Sequence, residues 1–397
     1  KAYAQADGSV AVFRIEANAT RMNRSAERLA MPPLPEGAFE QSCVALVDAD
    51  RAWVPTSDGS ALYVRPFLFG VEAHLSVRPA NEYLYAVIAS PVASYFGPVL
   101  GAISVAVEPV DVRATPGGTG AVKFAGNYAA GFRAHGRADA AGGDQVLWLD
   151  AVEHRWVEEL NAMNVMFLWE RDGHTVLTTP PLSGTILEGV TRASLLEVAR
   201  DSGGELRIDE VVEEPTSIED VRDGIEDGTL LEMFACGTAA VIVPIGRLID
   251  AGVTRVVGTG DPGGLTMALR SALLDIQYGR TADTRGWMRT VDPADQRRHA
   301  GRQWRQECGR LAWVKLESPE WGVGRRPTPL LCLAQAHNRC KNNHREVPML
   351  DDAKLIDIIE PVVSAAGFTL YDAEFRGASL LVMVDGPHGI NLDQVAS

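Results

Sequence analysis

The chain has 397 residues, 46% of them hydrophobic, and a formal net charge of −15; this allows two or three domains with real cores and excludes a disordered or fibrous class. No apolar run approaches the roughly 18 residues of a membrane helix, and the opening KAYAQADGSV lacks the zones of a signal peptide, so a cytoplasmic setting is expected. Five cysteines (Cys43, Cys236, Cys308, Cys332, Cys340) without CxxC spacing argue against a disulfide framework and a zinc ribbon, and the acidic balance argues against nucleic acid as the main partner.

In chain order, residues 9–15 alternate as a strand. The sequence enters this strand without an initial Met, which implies that the N-terminus is missing. A helix is expected over Thr20–Ala30, with Asn18 and Thr20 able to cap it. A second is expected over 36–50, with Phe39, Cys43, Leu46 and Val47 on one face. Strands follow at 61–68 and 83–89, completing a small α/β unit over 1–90. SPVASYFGP, with two prolines and a glycine, marks a linker over 91–98. A larger α/β domain is expected over 99–290. It starts with ISVAVE and has a helix from about 124, strands at 145–149, 165–169 and 174–178, and helices at 189–201, 217–226 and 265–278. Short strands lie near 206–210, 230–235 and 240–243. Ser217 and Asp220 form a capping box at one helix start.

Beyond this domain the character changes. Residues 294–348 carry eleven Arg or Lys against five Asp or Glu, together with three of the five cysteines and three of the eight tryptophans. No sustained period runs through them, so 291–349 is expected to be an irregular, disordered spacer.

One residue stands out chemically. Between positions 2 and 314 the only lysine is Lys123, although arginine is used freely. A guanidinium stays protonated and cannot form an imine, whereas a lysine amine can lose its proton and attack a carbonyl. Lys123 lies in TPGGTGAVKFAGNYAAG, where Gly117, Gly118, Gly120 and Gly126 let the backbone turn tightly and approach a flat ligand.

This stretch resembles the cofactor-lysine motif of the branched-chain amino-acid aminotransferases, the fold-type IV pyridoxal-phosphate enzymes. The resemblance covers about 285 of the 397 residues and includes ALYVRP, SPVASYF and LLDIQYGR. It implies an α/β, fold-type IV architecture with a truncated small domain and a larger one, the cofactor between them, and a homodimer. It also implies pyridoxal 5′-phosphate bound by Lys123 as a Schiff base, with Lys123 then carrying the α-proton.

By the same resemblance, Glu159 in VEELNAMNVMF would meet the ring nitrogen, with Glu158 as the adjacent competitor, and Tyr128 would meet the phenolic oxygen. Arg21 would hold the phosphate, with Arg24 as the bland alternative. Val190 and Thr191 at a helix start and Gly237 and Thr238 in ACGTA would supply amides. Tyr63, Arg65, Tyr95, Met163, Thr238 and Ala239 would receive the substrate, although Tyr63 and Met163 also suit ordinary strand-face core. The reaction implied is amino-group transfer between leucine, isoleucine or valine and 2-oxoglutarate. A D-amino-acid aminotransferase or an aminodeoxychorismate lyase would share the lysine, glutamate and arginine, but ALYVRP and DIQYGR weigh against both. No metal and no membrane partner are expected.

Three departures accompany the match. The family's opening strands lie upstream of residue 1, Asn161 and Ala162 replace small residues after the glutamate, and Ala240 and Val243 stand where some relatives carry a redox CxxC. Residues 350–397 resemble the start of the bacterial ribosome maturation factor RimP, a short α+β fragment with strands expected at 368–375 and 379–385. This tail is expected to come from read-through of a neighbouring gene; a ribosome or nucleic-acid partner would follow only from a true fusion.

Overall fold

Arg14, at φ 44°, turns the chain out of a strand and straight into a helix in the computed structural model, which describes residues 1–93, 101–202, 204–292, 311–315, 330–337, 360, 369–376 and 379–385. The chain divides into two units. The first comprises Lys1–Ala19, Leu29–Val92 and Gly286–Ser397, and the second Thr20–Arg28 and Ala93–Arg285.

In the first unit, β1 (Ala2–Ala4) and β2 (Val10–Phe13) form a hairpin. Helix α1 (Ile15–Arg28) follows at once. It starts five residues before the sequence reading, so Asn18 and Thr20 lie inside it; Asn18 Nδ2 donates to the Arg14 carbonyl at 2.8 Å from there. Helix α2 (Ala38–Ala49) buries Phe39, Cys43, Leu46 and Val47 as its periodicity predicts and packs on β3 (Ala61–Gly70) and β4 (Glu82–Val92). Its Ser42 hydroxyl meets the buried Tyr85 hydroxyl at 3.0 Å.

The elements β5 (Ile103–Val107), α3 (Gly126–Ala129), α4 (Gly131–Ala140), β6 (Gln145–Leu149), β7 (Val157–Leu160) and β8 (Asn164–Arg171) open the second unit. They are followed by β9 (His174–Thr179), α5 (Val190–Asp201), β10 (Glu210–Glu213), α6 (Ile218–Asp227), β11 (Leu230–Gly237), β12 (Val241–Asp250), β13 (Val253–Val256) and α7 (Gly264–Gln277). The short strand expected near 206–210 forms at 210–213, and the capping box at Ser217 and Asp220 is present.

The chain then returns to the first unit as β14 (Met288–Thr290), antiparallel to β2. In backbone terms β15 (Leu311–Lys315) and β16 (Leu330–His337) continue that sheet beside β4. A separate hairpin, β17 (Thr369–Arg376) and β18 (Ser379–Asp385), forms where the tail's strands were expected.

The large sheet of the second unit closes on itself. Its path runs β8-β11-β12-β5-β6-β7, and β7 pairs again with β8 through Glu159 and Asn164. Alternate residues of each strand therefore point inward: Val105, Leu147, Leu149, Val165, Phe167, Met233, Ala235, Val243 and Ile245 belong to one buried cluster. The other face of β5 and β6 presents Ala106, Val146 and Trp148 to Ala134 and Ala138 of α4. Strand β7 escaped the sequence reading because two glutamates interrupt VEEL; ring closure buries both all the same.

Candidate active site

Ring closure sets the first part of the site. The turn Asn161-Ala162 joins β7 to β8, with the Leu160 amide donating to the Met163 carbonyl at 2.8 Å. This puts Glu159 opposite Asn164, whose Nδ2 donates to Glu159 Oε2 at 2.9 Å and to the Leu187 carbonyl at 2.9 Å. The Leu187 amide donates to Glu159 Oε1 at 3.2 Å, and Arg113 Nη2 pairs with the same oxygen at 2.6 Å. Burial of this carboxyl, 3% exposed, raises its pKa to about 7; Arg113, the Leu187 amide and Lys123 pull it down, and Glu158 pushes it up. Glu158 is also buried and also raised, by desolvation, and takes a hydrogen bond from the Thr185 hydroxyl.

The second part is the glycine-rich loop. Asn127 of α3 knots it, donating from Nδ2 to the carbonyls of Thr119 at 2.8 Å and Val122 at 3.1 Å and accepting from the Thr119 hydroxyl at 2.8 Å. A Cβ on Gly120 would stand 2.2 Å from the Thr185 carbonyl oxygen, so only glycine lets this loop lie against the segment before α5. Gly120→Ala is expected to destabilise the fold by about 3 kcal/mol or more through this clash, read from urea midpoints; an unchanged midpoint would show that the contact can relax. The Lys123 amide is anchored to Ser25 Oγ of α1 at 3.1 Å, and Lys123 Nζ donates to the Tyr128 hydroxyl at 2.5 Å. A lone amine thus sits on a phenol, close enough for its charge to act on Glu159.

The third part is a cavity of about 320 Å³ lined by Arg21, Arg24, Ser25, Arg28, Gly117 and Glu188, among others. Three guanidinium groups reach it from successive turns of α1. Arg21 donates to the Glu188 carbonyl at 3.5 Å, Arg24 pairs with the Glu188 carboxylate, and Arg28 donates to the carbonyls of Gly117 and Gly118 at 2.5 and 2.9 Å. After Glu188, Gly189 is extended and α5 begins at Val190 and Thr191, both buried. First-turn amides lack partners within their helix and favour an anion. Gly189 is fixed by space as well, since a Cβ there would lie 2.0 Å from Asn164 Oδ1.

Residues 5–248 match the family model of class IV amino-transferases. The chain belongs to the class IV aminotransferases. It is 50% identical over 292 residues to the probable branched-chain-amino-acid aminotransferase of Streptomyces coelicolor, covering 73% of this chain and 78% of that protein. It is 48% identical to the branched-chain-amino-acid aminotransferase of Mycobacterium tuberculosis, covering 72% and 77%. Among solved structures it is similar to the branched-chain aminotransferase of Thermoproteus uzoniensis with norvaline, at TM-score 0.58 and 25% identity over 73% of this chain and 88% of that one. The Escherichia coli branched-chain enzyme gives TM-score 0.57 and 26% identity, over 73% and 87%.

A class IV aminotransferase has to accommodate an aldehyde, a phenolic oxygen, a phosphate and a ring nitrogen, and the donor set here suits all four. The amine and phenol of Lys123 and Tyr128 adjoin, cations line the cavity, and the buried carboxyl of Glu159 can take either charge state. Among the described residues no group of His, Cys, Asp or Glu could hold a metal ion, and no helix is long and apolar enough to cross a membrane.

Of the residues the sequence singled out, Lys123, Tyr128 and Glu159 share one electrostatic neighbourhood, and Arg21 lines the cavity beside the segment that leads to Val190 and Thr191. Gly237 ends β11 paired with Val241, and Thr238 and Ala239 lie in the turn to β12, whose first residue, Val241, is in the left-handed region at φ 65°. A Cβ on Gly237 would lie 3.3 Å from Met163 Cγ, so these two candidates meet; Met163 is itself part of the core cluster. Tyr63 and Arg65 lie on β3 in the first unit, the guanidinium 5.3 Å from the ring centroid, and Tyr95 lies outside the described residues.

Arg113, Asn164, Asn127 and Ser25 were missed. The signal available for Arg113 was a charged residue between Val112 and Ala114 just ahead of the glycine run. Asn161, one of the two residues that replace the family's small pair, has its Oδ1 accept from the buried Trp148 indole at 2.7 Å. Asn161→Ala is expected to cost about 1–3 kcal/mol by orphaning that N–H and to leave cofactor binding intact, measured by urea unfolding and cofactor titration. Cys236 is fully buried, and desolvation pushes its thiol up to about 12, so it is inert.

Proposed function

We propose that this chain transfers amino groups between branched-chain L-amino acids (leucine, isoleucine, valine) and 2-oxoglutarate, using pyridoxal 5′-phosphate. The observation that supports this best is the Lys123 amine on the Tyr128 hydroxyl at 2.5 Å beside buried Glu159, in a chain half-identical to proteins named for that reaction. When bound, the cofactor supplies an aldehyde and an electron-withdrawing ring that stabilises charge at the substrate Cα.

The chain's own groups do the rest. Lys123 would hold the cofactor through its aldehyde and, as a free amine, would take the proton from the substrate Cα as general base and deliver it, as general acid, to the carbon that bore the aldehyde. Tyr128 donates to the phenolic oxygen and holds the Lys123 amine beside it. Glu159 balances a protonated ring nitrogen. Arg21 and the first amides of α5, at Val190 and Thr191, hold the phosphate, with Gly237 and Thr238 adding turn amides. Met163, Thr238 and Ala239 receive the substrate; for Tyr63, Arg65 and Tyr95 a substrate-binding role rests on the family resemblance alone. The working form is a cytoplasmic homodimer.

The test is purified protein with pyridoxal phosphate. A visible absorbance band retained on desalting, and glutamate formed from leucine and 2-oxoglutarate, are expected. Failure to retain the cofactor, or faster turnover of D-alanine than of L-leucine, would refute the reading.

A further inference from the structure

Arg113 is the least expected group in the second unit. It is a guanidinium with a 6% exposed side chain, two residues ahead of the stretch that carries the cofactor-lysine motif. Its Nη2 reaches three acceptors: Glu159 Oε1 at 2.6 Å, the Gly120 carbonyl at 3.0 Å and the Thr185 carbonyl. Gly120 is three residues before Lys123. Thr185 is five residues before α5, and its hydroxyl donates to Glu158. One cation therefore touches the carboxyl, the lysine loop and the segment leading to the phosphate-binding helix.

We propose that Arg113 is the positioning residue of this site, a single guanidinium that holds the Glu159 carboxylate toward the cofactor ring and fastens the Lys123 loop to the segment ahead of α5. The inference rests on the pyridoxal-phosphate reading above. Two neighbouring carboxyls, Glu158 and Glu159, share this one buried cation, and burial disfavours charge on both. Besides Arg113, the groups facing Glu159 are Glu158, Lys123, Cys236, the Leu187 amide and the Asn164 carboxamide. Arg113 heads the influences that favour the ionised form. Glu158 Oε2 makes no hydrogen bond among the described residues, whereas both oxygens of Glu159 are engaged, Oε2 by Asn164 and Oε1 by the Leu187 amide and Arg113. All three acceptors meet the one nitrogen Nη2, and Arg113 Nε makes no hydrogen bond among the described residues; arginine suits the position because its guanidinium stays charged when buried, where an ammonium readily loses its proton.

The test is a double-variant cycle on the full chain with Arg113→Gln, Glu159→Gln and the pair. Arg113→Gln is expected to weaken pyridoxal phosphate binding about tenfold or more and to lower kcat more than it changes KM. In the Glu159→Gln background the same change adds less than about threefold, because the carboxylate it serves is gone. Independently of activity, the Glu159 carboxyl of the cofactor-free protein, followed by isotope-edited infrared spectroscopy, titrates at higher pH in Arg113→Gln. Arg113→Lys, the milder change should Arg113→Gln fail to fold, restores that midpoint but not the full cofactor affinity. Effects of the two Gln variants that multiply, or a Glu159 midpoint that does not move, overturn the proposal. A wild-type chain that binds no pyridoxal phosphate sinks only the functional reading, and the Glu159 titration still decides for or against Arg113.

Discussion

Lys123→Ala is expected to lower amino transfer by about 10⁴-fold or more, since it removes both the nucleophile toward the aldehyde and the base that moves the Cα proton. The folded state should hardly notice. Lys123 is exposed, its amine donates to Tyr128 and its backbone amide stays on Ser25, so the urea midpoint should shift by less than about 0.5 kcal/mol. Lys123→Arg is the sharper version, because it keeps the charge beside Glu159 and Tyr128 while abolishing imine chemistry. Both variants should fail to retain cofactor after borohydride reduction and denaturation, whereas the wild type retains it. More than about a tenth of wild-type activity in Lys123→Arg would remove Lys123 from the centre of the mechanism.

That lysine was legible because its chemistry is local: the one lysine among the arginines between positions 2 and 314, in a loop whose glycines show in the sequence. Elements with strong periodicity were equally readable. Helix α2 buries the predicted face, and β6 occupies the five residues assigned to it. What escaped depends on pairings that the residue pattern does not show. Glu159 and Asn164, five residues apart, become partners across the turn from β7 to β8, and Arg113 meets Glu159 from a distant part of the sequence. The early start of α1 escaped because Arg14 adopts a left-handed conformation that glycine or asparagine usually occupies. The Asn161–Trp148 bond escaped for a related reason: in sequence Asn161 stands two residues after Glu159, but in the fold its Oδ1 accepts from Trp148 on β6.

Glu159→Gln carries the second large expected effect, and it has two signatures. Amino transfer should fall by about 10²- to 10³-fold, because a neutral amide cannot balance a protonated ring nitrogen in a dry site. The other signature is in stability of the cofactor-free protein. Folding raises the Glu159 pKa to about 7, so between the ordinary carboxyl range and that value the folded state binds a proton that the unfolded state has already lost. The stabilisation is complete below the unfolded pKa and disappears as pH rises through the folded one, a loss of a few kcal/mol. Wild-type protein should therefore lose stability relative to Glu159→Gln as pH is raised from about 5 to about 8, measured by urea unfolding of both; because Glu158 and Glu159 interact, the difference between the two curves reports the pair of carboxyls. A cationic ring bound beside Glu159 favours its ionised form, so cofactor affinity in the wild type should rise over the same range and stay flatter in the variant. Parallel stability curves for the two proteins would mean that Glu159 does not hold its proton in the fold, and the charge balance assigned to it would fall with that result.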